Sequence, residues 1–152
     1  MSADVDVLVI GAGQAGLAVS HELGSAGVEH VVLEADRVAR AWSARWDSFH
    51  LVTPNHTVRL PGGEYRGEEP HGFMARDEVL AHLREYAASF DAPVEEGRPV
   101  TALVQEDGGF RADTSARMGM SPRLQVCRGV RVSSAPCCGR RPLLAGCRGS
   151  GS

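Results

Sequence analysis

Residues 5–34, VDVLVIGAGQAGLAVSHELGSAGVEHVVLE, decide the fold. Val5 to Ile10 is a short apolar run rich in β-branched residues, suited to a strand buried on both faces. It runs directly into Gly11-Ala12-Gly13-Gln14-Ala15-Gly16, a GxGxxG turn. Leu17, Val19 and Leu23, with small residues between them, continue at helical spacing. A second apolar run, His30 to Leu33, ends on Glu34, 18 positions after Gly16.

Each residue type in this unit has a physical task. Gly11 permits a tight strand-to-helix turn, Gly13 leaves room for a pyrophosphate to approach the backbone, and Gly16 lets helix and strand pack closely. The helix start then offers free N–H groups, those of Gln14 and Ala15 among them, and a partial positive charge to phosphates. Glu34 stands where a carboxylate accepts hydrogen bonds from a ribose diol. A glycine turn in an ordinary α/β domain is the competing reading. The strand before, the helix after and the acid at this distance together favour a dinucleotide site. The glycine motif alone does not separate FAD from NAD, because both present a pyrophosphate and an adenosine ribose.

The adjoining residues 34–63, EADRVARAWSARWDSFHLVTPNHTVRLPGG, resemble the N-terminal region of class B flavin-dependent monooxygenases and related pyridine nucleotide-disulfide oxidoreductase-like flavoproteins. These include flavin-containing and Baeyer–Villiger-type enzymes and bacterial flavoproteins linked with potassium transport. In those families an acid ends the second strand and a Gly-Gly-x-Trp turn follows, its tryptophan lying against the flavin nucleotide. Trp42 matches that tryptophan, and Trp46-Asp47-Ser48 with Leu51-Val52-Thr53-Pro54 matches the next stretch. Arg40-Ala41 stands in place of the two glycines. The resemblance covers about residues 4–113. It implies FAD as cofactor, with Trp42 and Thr53 beside it, and NADPH as reductant of an intact family member. Trp42 and Trp46 as plain core aromatics are the alternative.

Residues 61–76 (PGGEYRGEEPHGFMAR) read as a surface loop. Asp77 reads as an N-cap, and Val79, Leu80, Leu83, Tyr86, Ala87 and Phe90 then recur at i, i+3, i+4 spacing, an amphipathic helix ended by Asp91-Ala92-Pro93. Pro99 to Val104 and Gly109 to Asp113 read as two strands of a hairpin turning at Glu106-Asp107-Gly108-Gly109. In the resembling families the start of this hairpin passes the adenine, which makes the Val100 backbone a candidate contact beside its plain role in strand packing. The expected fold is α/β: an incomplete Rossmann-type FAD/NAD(P)-binding domain over residues 1–113, a parallel sheet with a small antiparallel hairpin.

Residues 114–152 differ in character. All 19 acids lie in 1–113 against 9 arginines, a balance of −10. The last 39 residues hold 7 arginines, no acid and all four cysteines, a balance of +7. There is no lysine anywhere, and Arg, Gly, Ala and Pro abound, as in the product of a GC-rich gene. Such a gene read out of frame yields Arg, Gly, Pro, Ser and Cys, so the stretch from about Arg117 onward is expected to be a non-native or frameshifted tail that adds nothing packed to the sheet. As a nucleic-acid arm it lacks aromatics and a periodic face. As a zinc site, Cys127, Cys137, Cys138 and Cys147 lack CxxC spacing.

No 18-residue apolar run and no secretory signal are present, so no membrane association, no disulfide framework and a cytoplasmic location are expected. The six histidines show no metal-ligand spacing, and His21 and His82 are expected partly exposed on helices. No catalytic side-chain set is visible, which fits chemistry carried by a flavin. The sequence therefore supports the N-terminal fragment of an FAD-dependent, NAD(P)H-using oxidoreductase, monooxygenase-like and inactive alone, whose small-molecule substrate is unknown. A small nucleotide-binding module working with a partner chain or without catalysis is the second reading.

Overall fold

The computed structural model describes residues 3–106, 108–115 and 125–128. Strand β1 (Ala3–Val5) is followed after Asp6 by β2 (Val7–Ile10), helix α1 (Gln14–Ser25) and β3 (His30–Leu33). A short helix α2 (Arg40–Ser43) and a 3-10 turn at Asn55–Thr57 lead to helix α3 (Arg76–Ser89), and then come β4 (Val94–Glu95), β5 (Val100–Glu106), β6 (Gly109–Thr114) and β7 (Gln125–Arg128). β2, β3 and β4 form a parallel sheet in that order, with Val7 opposite His30 and Val32 opposite Val94. β1, β7, β6 and β5 form a second sheet in which β1 runs parallel to β7 and the rest are antiparallel. The mixed α/β class, the parallel sheet and the small hairpin are those the sequence implies.

The run expected as one strand from Val5 to Ile10 is divided at Asp6, because its first part pairs with β7 and its second with β3. β2 is also less buried than an apolar parallel strand suggests, with Ile10 53% exposed. β7 pairs with β1 and β6 but not with β2, so among the described residues β2 has a paired neighbour on one flank alone. The expectation that nothing beyond residue 117 joins the sheet is corrected at Gln125–Arg128. Four residues suffice there, since the edges of β1 and β6 together satisfy the backbone groups on both sides.

The core lies between the parallel sheet, α1 and α3. Leu17, Val32, Leu33 and Leu83 are fully buried, and Leu60, Met74, Val79 and Tyr86 pack around them. Burying each such side chain contributes about 1.5–3 kcal/mol. α1 is tied to β3 by a polar pair. His30 Nδ1 donates to the Val28 carbonyl at 3.0 Å, so its Nε2 accepts from the buried Ser20 hydroxyl at 2.7 Å. α1 meets α3 through His21, whose ring stacks on Tyr86 and meets Phe90 edge-on. His82 also packs inward and bonds the Gly63 carbonyl at 3.0 Å. Both histidines are partly exposed on their helices, as expected, and also take part in this packing.

The start of α3 differs from the expected Asp77 cap. Ala75 is the N-cap, and Glu78 Oε2 accepts its N–H at 2.7 Å. Asp77 is drawn instead to the Arg76 guanidinium at 2.8 Å, which together with that hydrogen bond holds its carboxyl below the ordinary 3.8. At the other end Asp91 adopts φ 51, the left-handed residue that stops the helix.

Candidate functional site

The glycine turn sits where β2 hands over to α1. Gly11 has φ +94, a conformation that L side chains rarely adopt, and its N–H bonds the Leu33 carbonyl at 2.8 Å. A Cβ on Gly16 would stand 1.9 Å from the Gly11 carbonyl oxygen, so close helix–strand approach needs glycine there. Gly13 is different. A Cβ on it would meet nothing within 4 Å, so its backbone faces open space beside the first turn of α1. No side chain caps that helix, and Gln14 and Ala15 are exposed at its start.

Glu34 closes the turn from the second strand. Its Oε2 accepts the Ala12 N–H at 2.7 Å and its Oε1 accepts the Asp36 N–H at 3.0 Å. The loop after β3 is fastened to the same turn, because Ala39 N–H bonds the Ala12 carbonyl at 3.0 Å. Ala39 holds φ 62. The left-handed position of this loop is therefore Ala39, one residue before the Arg40-Ala41 pair that replaces the glycines of the resembling proteins. The Glu34 carbonyl accepts the N–H of Arg98, a buried residue whose guanidinium lies 3.2 Å from Glu95. Val100, two residues on, begins β5 opposite Thr114.

Beside the turn lies a cavity of about 400 Å³ lined by Gln14, Trp42, Thr53, Arg45 and Phe49, and floored by Leu60, Met74, Val79 and Leu83. The structure thus gathers Gln14, Trp42 and Thr53 on one cavity, with Gly11, Gly13, Gly16 and Glu34 in the adjoining turn; Val100 does not line the cavity. Trp42 is partly buried and meets Phe49 edge-on at 5.8 Å, while Trp46 is 62% exposed and so is no core aromatic. Arg45, Phe49, Met74 and His82 were not legible as lining residues. They come together where the bridge between His50 and Ala75 and the hydrogen bonds from Leu51 N–H to the Met74 carbonyl and from Arg76 N–H to the Phe49 carbonyl, each 2.9 Å, hold the 42–60 segment against the start of α3.

Among the described residues no group of acids, cysteines and histidines could hold a metal, and no helix is long and apolar enough to cross a membrane.

The profile of the pyridine nucleotide-disulphide oxidoreductase family matches residues 8–130. An uncharacterized CzcO-like oxidoreductase of Geobacillus kaustophilus is 34% identical over 126 residues, which are 82% of this chain and 36% of that protein. A flavin-containing monooxygenase from Stenotrophomonas maltophilia superposes with a TM-score of 0.67 at 31% identity, over 81% of this chain and 36% of that one. The bacillithiol disulfide reductase of Bacillus cereus gives a TM-score of 0.75 at 20% identity, over 82% and 37%, and shares the fold. The chain spans about 36% of the length of the curated relatives it matches along most of its own length.

Proposed function

The chain belongs to the pyridine nucleotide-disulphide oxidoreductase family, and we propose that it is the N-terminal FAD-binding part of a longer, NAD(P)H-using oxidoreductase of monooxygenase type, without turnover of its own. The observation that carries this reading is the open backbone at Gly13 between a tightly packed glycine turn and an uncapped helix start. That is a cradle which a side chain would fill and a pyrophosphate fits.

The N–H groups of Gly13, Gln14 and Ala15 hold the phosphates, and Gly11 and Gly16 keep the turn tight enough to present them. Glu34 serves the adenosine ribose. Its two oxygens already accept backbone N–H groups, but a carboxylate has about four acceptor positions, so capacity for a diol remains. The Val100 backbone lies along the adenine, and Trp42 and Thr53 flank the flavin side. When bound, FAD supplies the electron-accepting ring system. This chain's residues orient it and keep the apolar cavity floor dry.

NADPH and the small-molecule substrate fall to the remainder of a protein of the relatives' length. The monooxygenase type is supported by the 31% identity to the Stenotrophomonas flavin-containing enzyme. The dinucleotide part extends through β7, where the family match also ends near residue 130.

FAD retention tests the reading. After incubation with FAD and gel filtration, flavin absorbance per chain falls for Glu34→Ala by roughly 10- to 100-fold in affinity, the loss of charge-assisted hydrogen bonds. Gly13→Val, which places a branched side chain in the cradle, abolishes it. Retention unchanged in both variants contradicts the proposal.

A further inference from the structure

The glycine turn has no charge of its own to offer a pyrophosphate. Gly11 to Leu17 contain no basic side chain, and the chain contains no lysine. Backbone N–H groups and a helix end supply partial charges only. A cation facing the same space has to come from another segment.

Arg45 meets that requirement. It lines the cavity that Gln14 lines at the start of α1, and no aspartate or glutamate lines that cavity. Its guanidinium carbon lies 5.9 Å from the centre of the Trp42 ring and 5.6 Å from that of Phe49, within cation–π range. A cation–π contact consumes none of the guanidinium's N–H donors, which form a fork that suits phosphate oxygens. The acid nearest in sequence, Asp47, is taken by Arg76, and among the described residues no carboxylate pairs with Arg45. Arg76 also donates to the Arg45 carbonyl at 3.2 Å. Arg76 thus fixes the backbone that carries Arg45 and removes the carboxylate that would quench it.

We propose that Arg45, held against Trp42 and Phe49 at the wall of the cavity, is a phosphate-reading residue that takes an anionic oxygen of the bound dinucleotide. This rests on the FAD reading of the site and adds to it the residue that supplies full positive charge.

The test is calorimetric titration of the 152-residue chain with riboflavin, FMN, ADP and FAD, which share parts of one ligand but differ in phosphate. Arg45→Met keeps the apolar stem over the rings and removes the charge. Arg45→Lys restores a charge without the fork. For Arg45→Met, FAD affinity falls roughly 10- to 100-fold, riboflavin affinity is unchanged, and Arg45→Lys recovers part of the loss. A matching loss for FMN places the contact on the flavin-side phosphate, and a matching loss for ADP places it on the adenosine side; either supports the assignment. If Arg45→Met binds FAD as the wild type does, or loses riboflavin as strongly as FAD, the Arg45 assignment is overturned while the FAD reading stands. A wild-type chain that takes none of the four ligands overturns both.

Discussion

Gly13 and Gly16 belong to one motif but carry different burdens, and substitution separates them. Gly16→Ala drives a Cβ to 1.9 Å from the Gly11 carbonyl. Strand and helix have to move apart, which costs about 1–3 kcal/mol or more. Gly13→Ala meets nothing within 4 Å and has an ordinary φ of −84, so it costs stability less than about 1 kcal/mol yet crowds the ligand. Urea denaturation of the two variants reads the contrast; equal losses would show that both glycines are structural. Tyr86 gives a second prediction at this scale. Burial, reinforced by Glu22 and Glu64, raises its phenol above the ordinary 10.0, and its hydroxyl donates to the Pro61 carbonyl at 2.8 Å. The folded chain therefore keeps this proton longer than the unfolded chain. The contribution is whole below pH 10.0 and is lost as pH rises past it. Tyr86→Phe costs about 1 kcal/mol at neutral pH and flattens the alkaline decline in urea stability. An unchanged decline would remove Tyr86 as its source.

Among the elements, α3 shows what local sequence reveals and what it hides. The spacing of Val79, Leu83, Tyr86 and Ala87 announced its buried face, and these four are the residues the helix buries. The cap is not legible locally because Asp77 has two uses, a helix N-terminus or a pairing with Arg76, and only the fold decides between them. Glu78 took the capping role, and Glu78→Ala lowers the melting temperature through the loss of about 0.5–1 kcal/mol. At the other end Asp91→Gly relieves a left-handed conformation worth about 1 kcal/mol and raises the melting temperature. A lower one would show that the Asp91 side chain has a compensating role. The element order and glycine turn of the βαβ unit were legible because they are set by contacts within thirty residues, whereas the division of its first run at Asp6 was not, because that depends on pairing with the distant β7. The cavity wall was not, since Arg45, Met74 and His82 meet across a loop with no periodic signal.

At the scale of the whole molecule the first strand run feeds two sheets, and β7 is what joins β1 to the hairpin. A chain ending at Ser115 leaves the edges of β1 and β6 unpaired, so it should melt earlier and aggregate more readily than the 152-residue chain. Indistinguishable melting would mean that β7 adds no stability. The exposed end of β2 points the same way, toward further structure beside this strand in proteins of the relatives' length. Amide chemical shifts of the 15N-labelled chain read the nucleotide cradle at the glycine turn directly. Titration with ADP should move the resonances of Gly11 to Gly16 and of Glu34 while leaving those at the hairpin end, Glu106 and Gly109, in place. Shifts at the hairpin without shifts at the turn, or none at either, would contradict it.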